Sequence, residues 1–235
     1  MFETKFGKFN IKKSIFDDFV GFEKCSFGES GDSENEYIAK FTYATFLSFV
    51  NFRNTNFYSG LDIENINLKE SPNFLNANIN EKYSNRETFR IIKSSFDKIH
   101  NYIEANKYFA YEMKKYKEEL KGTNKTQEKL ILFLNEKISN YGQSYIWPIF
   151  YMIATSIIYY LLILGYENNI LYEIHPSING ALEKISSFVN NVSKNISPFS
   201  KILKAGMEFV SLVFYIIFAS LIWQTLVAVK RHTRR

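Results

Sequence analysis

The side chains that most often bind metals or relay protons are thinly spread in this chain of 235 residues, which has three histidines and one cysteine. His100, His175 and His232 fall in three separate segments, so a histidine metal site or a catalytic triad is not expected. Cys25 stands alone, which rules out an intrachain disulfide and leaves nothing to mark residues 1–140 as facing an oxidising compartment. Asp17, Asp18 and the acidic residues of the stretch from Gly31 to Glu36 have no neighbouring base, and a solvated loop accounts for them better than general acid–base work. Gly28, Gly31 and Gly60 are spaced as turns and form no phosphate cradle. The expectation is a non-enzymatic protein with no catalytic, cofactor-binding or metal-binding residues.

One cluster does carry chemistry, the basic run Lys230-Arg231-His232-Thr233-Arg234-Arg235. A net charge of +5 and a pI near 9.0 could suit nucleic acid. The lysines, however, are interleaved with glutamates, and the densest basic run directly follows an apolar stretch. Anionic lipid headgroups are the expected counterpart, and no nucleic-acid partner is expected.

That apolar stretch is Phe209 to Val229, 21 residues without a charge. At a helical rise of about 1.5 Å per residue it reaches roughly the 30 Å thickness of a bilayer's hydrocarbon core. A second uncharged run, from Ile138 to Tyr166, contains another stretch of spanning length. Mean hydropathy of −0.20 hides both, because they are averaged with a polar remainder. Two transmembrane helices are expected, over residues 145–166 and 207–230, separated by a loop over 167–206 and followed by a basic tail over 231–235. Lys114, Lys115, Lys117, Lys121, Lys125, Lys129 and Lys137 precede the first span, and the final six residues add four more cations. The 40 residues from Glu167 to Gly206 carry only Lys184, Lys194, Lys201 and Lys204, so both termini are expected in the cytoplasm. The first thirteen residues carry charges throughout and show no signal-peptide core, which agrees with that orientation. Tyr145, Trp147 and Trp223 sit where interfacial aromatic belts would place them. The apolar runs within them, 145–166 and Phe209 to Val229, hold no charge, which argues against a proton relay, a voltage sensor or a carboxylate-based transporter.

Within the loop, Ile178, Leu182, Ile185, Val189, Val192, Ile196, Phe199 and Leu203 alternate by four and three, a heptad seam expected on a helix over 178–197. Two readings stand: the seam packs against another copy and makes a homo-oligomer, or the helix lies in the membrane–water interface.

The amino-terminal third follows a different rhythm. Phe41, Phe46, Phe52, Phe57, Ile63, Leu68, Phe74 and Ile79 step by five and six, four copies of an eleven-residue unit. Two residues before each stands a smaller or apolar one: Ala39, Ala44, Val50, Thr55, Leu61, Ile66, Pro72 and Ala77. Thr55 is the only polar occupant. The rhythm appears upstream at Ile11, Phe16, Phe22 and Phe27, ahead of an acidic interruption from Gly28 to Glu36. Such a period places one large and one small residue inward on each side of a square coil, so that stacked coils share a core.

Phe41 to Phe46 reads FTYATF and Asn51 to Phe57 reads NFRNTNF. These strings resemble the pentapeptide-repeat proteins, and the resemblance implies a right-handed parallel β-helix over residues 1–84. From Asn85 the period becomes helical, with Phe89, Ile92, Phe96 and Ile99 in one stripe. Ala105, Tyr108, Phe109, Met113 and Tyr116 form another after a turn at His100-Asn101. The spacing of Phe89, Ile92, Phe96, Ala105 and Phe109 is similar to a single tetratricopeptide unit, departing from it at Lys93, Glu112 and Lys117. One copy cannot build a peptide-binding superhelix, so the hairpin over 85–120 is expected to cap the coils.

A charged helical stem is expected over 121–144, either solvated with glutamate partners or turned as a basic face toward the membrane. The order of repeats, hairpin, two spans and basic exit resembles a bacterial group of membrane-anchored pentapeptide-repeat proteins. That resemblance implies the cytoplasmic membrane of a bacterium. The expected role is a membrane scaffold whose coils meet a protein partner; the alternative is an oligomeric pore. The potassium-filter string Thr-Val-Gly-Tyr-Gly is absent.

Overall fold

The computed structural model describes residues 1–28, 37–168, 185–190 and 203–233. They fall into two compact units, one of residues 1–143 with 230–235, the other of residues 144–229.

The first unit begins with short strands: β1 (Lys5–Phe6), β2 (Asn10–Lys12), β3 (Ile15–Phe16), β4 (Val20–Gly21), β5 (Ser26–Phe27), β6 (Ala39–Thr42), β7 (Thr45–Phe46), β8 (Val50–Asn51), β9 (Asn56–Phe57), β10 (Leu61–Asp62), β11 (Asn67–Leu68) and β12 (Asn78–Ile79). All pair in parallel, in four sheets ordered β1-β5-β9-β12, β2-β6-β10, β3-β7-β11 and β4-β8. Ala39 pairs with Leu61, Thr45 with Asn67 and Asn56 with Asn78, each 22 residues on and therefore two eleven-residue units away. Ile11 pairs with Phe41 and Phe27 with Phe57, thirty residues on. The eight extra residues fall in the stretch that includes the acidic interruption.

This register explains the aromatic periodicity physically. Parallel strands lie about 4.8 Å apart, so like residues in register stack face to face. Phe27 stacks on Phe57 at 5.0 Å, Phe16 on Phe46 at 4.8 Å, and Phe52 lies between Phe22 at 5.5 Å and Phe74 at 5.0 Å. Of the sixteen residues expected inward from 39 to 79, only Ile66 and Leu68 are half-buried rather than buried. Pro72 is buried in its slot. Thr55 is fully buried because its hydroxyl donates to the Phe22 carbonyl of the preceding pass. Ile11 and Phe16, on strands that pair on one side only, are half-buried.

Turns recur with the same period. Tyr43, Asn54, Asn65 and Asn76 all adopt left-handed backbone, with φ of 56°, 55°, 56° and 56°. Asparagine tolerates that region better than most side chains, and Asn76 Nδ2 donates to Asn54 Oδ1 at 3.1 Å along the column.

Four helices follow, α1 (Arg86–Lys98), α2 (Tyr102–Glu119), α3 (Thr126–Ser139) and α4 (Ile146–Glu167), and then α5 (Glu208–Thr233). Asn85 caps α1, its side chain accepting from the Thr88 amide at 2.8 Å. The same turn closes the edge left by β10. The amides of Leu61 and Ile63 donate to the hydroxyls of Ser84 at 3.0 Å and Thr88 at 3.1 Å, and Asn85 Nδ2 donates to Asp62 at 2.7 Å. Backbone groups that would template another strand are thereby satisfied. Phe89, Ile92, Phe96, Ala105 and Tyr108 join the aromatic strand core, with Tyr108 donating to the Ala77 carbonyl at 3.3 Å. The expected second stripe divides between two clusters. Ala105 and Tyr108 face the strands, whereas Phe109, Met113 and Tyr116 pack with Ala110, Leu120, Leu132 and Tyr141 around α3.

In the second unit α4 and α5 are each long and apolar enough to cross a membrane. Tyr159 stacks on Phe214 at 4.8 Å and donates to Ser211 Oγ at 2.8 Å. The expected helix over 178–197 lies outside the described residues except for 185–190, which are helical.

Candidate functional site

The residues weighed for chemistry do not converge. His100 is exposed in the turn between α1 and α2, its Nδ1 2.8 Å from the Tyr102 hydroxyl. Cys25 is fully buried among the strands. Asp17 and Asp18 are exposed, and His175 lies outside the described residues. Among the described residues no group of three or more His, Cys, Asp or Glu side chains could hold a metal.

Two polar constellations do form. A cleft of about 190 Å³ is lined by Glu64, Asn85, Arg86, Glu87, Arg90 and Glu119. Its charges are matched from within, Arg86 with Glu119 at 3.0 Å and Arg90 with Glu87 at 3.4 Å, while Arg86 also lies 4.0 Å above the Tyr116 ring. Both guanidiniums are thus already paired, and the cleft presents no nucleophile beside a base.

The second constellation is a clasp in the first unit that holds the basic end of α5. Helix α5 continues through Lys230 to Thr233, so these residues are helical. The Arg231 guanidinium lies 4.4 Å above the Phe109 ring and donates to the Tyr141 carbonyl. Asn106 Nδ2 donates to the Arg231 carbonyl at 3.0 Å, and Gln143 Nε2 donates to the Asn106 carbonyl at 2.8 Å. His232 Nε2 donates to the Gln143 carbonyl at 2.9 Å. The turn that presents these carbonyls is built from consecutive left-handed residues, Asn140, Tyr141 and Gly142, with φ of 46°, 57° and 81°. Glycine suits the positive φ at 142, and a Cβ there would come within 2.9 Å of the Arg231 side chain and make it shift.

Burial lowers the Arg231 pKa from its usual value, though guanidinium stays charged at any physiological pH. Tyr141 is buried, and its hydroxyl has no hydrogen-bond partner. Burial first, and Glu136 second, push its pKa up to about 12. The clasp fastens a helix end with carbonyls and an aromatic face; it contains no pairing of nucleophile and base.

Sequence reasoning missed the clasp because Asn106 and Arg231 are 125 residues apart and no local pattern joins them. The triplet Asn140-Tyr141-Gly142 was the available signal, a turn dipeptide displaced by one residue. No family model matches the chain, and no curated protein or solved structure matches it.

Proposed function

We propose that this protein is a non-enzymatic scaffold of a bacterial cytoplasmic membrane, crossing it twice with both termini in the cytoplasm. In this reading the strand region is a right-handed β-helix of the pentapeptide-repeat type, and the α1–α2 hairpin is its tetratricopeptide-like cap. The observation that carries it is the joining, in one chain, of regularly stacked parallel strands to two helices of spanning length that carry charge only at their ends. Stacked short strands present flat, rigid faces with fixed side-chain spacing, which suits recognition of another protein. One such face is apolar. Ile15 on β3, Phe19 just before β4 and Leu47 just after β7 are 68%, 59% and 43% exposed, β3 pairs with β7, and Phe19 stacks on Phe49 at 6.1 Å. Exposed apolar groups in one patch mark interaction surfaces. The test is photocrosslinking in native membranes, with the full chain carrying a benzophenone residue at Ile15, Phe19 or Leu47 in turn. A discrete adduct at these positions, absent at exposed Lys12, is the expected result. Absence of any adduct at all three positions overturns the reading.

A further inference from the structure

Helix α3 is amphipathic in the wrong direction for a soluble protein. Leu132 and Ser139 are buried, and around them the polar residues face the body: the Tyr116 hydroxyl donates to Glu128, and Lys117 pairs with Glu136. The opposite face is apolar and exposed. Leu130, Ile131, Phe133 and Leu134 are 59%, 57%, 46% and 44% exposed on a helix of 14 residues. Leu130, Leu134 and Lys137, spaced by four and three, form one outward stripe, and Gln127, Ile131, Leu134 and Ile138 form its neighbour. A helix whose carboxylates are satisfied inward and whose leucines point outward is built for something other than water to cover it.

Charge and connectivity identify the cover. Lys121 and Lys137 make no ion pair among the described residues, and the carboxylates of α3 are already engaged by Tyr116, Lys125 and Lys117. The outward face is therefore apolar with a cationic surround, the composition of helices that lie in a membrane interface and meet anionic headgroups. Lys137, set among the leucines, can bury its stem while its ammonium reaches the headgroups. Only residues 140–145 separate α3 from α4. A link of six residues spans at most about 20 Å, which keeps α3 beside the mouth of a span.

We infer that α3 lies flat in the cytoplasmic interface of the bilayer, with Leu130, Ile131, Phe133 and Leu134 among acyl chains and Lys121 and Lys137 on anionic headgroups. This rests on the reading of α4 and α5 as membrane spans and adds a third membrane contact to them. It turns the face of the first unit that carries α3 toward lipid.

The test uses the full chain with buried Cys25 left in place, reconstituted in phosphatidylcholine vesicles with and without phosphatidylglycerol. Spin labels are attached at Leu130→Cys, Ile131→Cys and Leu134→Cys, at Ile157→Cys as the span control and at exposed Lys12→Cys on the strands as the water control. Power saturation then compares access by oxygen, which partitions into lipid, with access by a water-soluble nickel chelate. The expected result is a several-fold higher oxygen-to-nickel ratio at 130, 131 and 134 than at 12, with the ratio falling when phosphatidylglycerol is omitted or when Lys137→Glu is introduced. Labels at 130, 131 and 134 that favour nickel while 157 favours oxygen overturn the inference and leave the spans standing. Exclusion of both reagents at these three positions means a protein partner or a second copy covers the face, which also overturns it. Nickel access at 157 overturns the membrane reading itself. A ratio insensitive to phosphatidylglycerol and to Lys137→Glu removes the headgroup contact.

Discussion

Thr55 shows how one side chain can serve two demands of a repeat. The slot takes a small residue, and the hydroxyl also satisfies the carbonyl of Phe22 from the neighbouring pass. Thr55→Val keeps the shape and removes the bond, so it should lower stability by about 1 kcal/mol, read as a shift in the denaturation midpoint of the detergent-solubilised chain. Tyr141 makes the opposite case, because its hydroxyl is buried without a partner. Tyr141→Phe should therefore be neutral or stabilise by up to about 1 kcal/mol. The pH dependence follows from the raised pKa. The neutral phenol is favoured in the folded state, so its contribution is whole below the ordinary tyrosine value near 10 and is lost as the pH climbs toward about 12. An alkaline titration of stability should show that loss in the parent chain and a smaller one in Tyr141→Phe.

The elements divide into those the sequence dictates locally and those fixed by contacts distant in the chain. The eleven-residue period was legible because parallel pairing returns the same side-chain type to the same column, and the columns are built mainly of phenylalanine. The left-handed turns were equally periodic in Asn54, Asn65 and Asn76, but polar residues on the surface give no hydropathy signal and went unread. Tyr43 occupies the matching turn at φ 56° and is exposed. Replacing it by asparagine should raise stability by about 0.5–1 kcal/mol, read as a higher thermal midpoint; a lower one would show that the ring's surface contacts outweigh the backbone strain. The hairpin was legible from its stripe, but the division of α2 between two clusters was not, since it depends on where α3 returns. Docking of α3 also has a pH signature. The Tyr116 hydroxyl holds the Glu128 pKa below its usual value, so this contribution is complete above the ordinary glutamate range and disappears as the pH falls through the depressed pKa. Amide exchange within α3, corrected for the intrinsic rate at each pH, should become less protected on acidification before exchange within the strands does.

On the scale of the molecule, two apolar helices were evident from their long uncharged runs, whereas the anchoring of Arg231 on Phe109 and Tyr141 was not. The proposed topology has a direct check. In intact cells an impermeant thiol reagent should modify Ser187→Cys, between the two helices, and should leave Lys121→Cys untouched until the cells are opened; the reverse pattern would invert the orientation. Buried Cys25 supplies no background in either case. The register change from 22 to thirty residues carries a further meaning. Phe27 still meets Phe57 and Ile11 still meets Phe41, so the same partners are reached across a longer excursion of the chain. The free energy of closing such an excursion grows only with the logarithm of its length, which makes the acidic interruption a natural splice point. An epitope or a small reporter grafted there would ride on the scaffold while leaving every ladder in step.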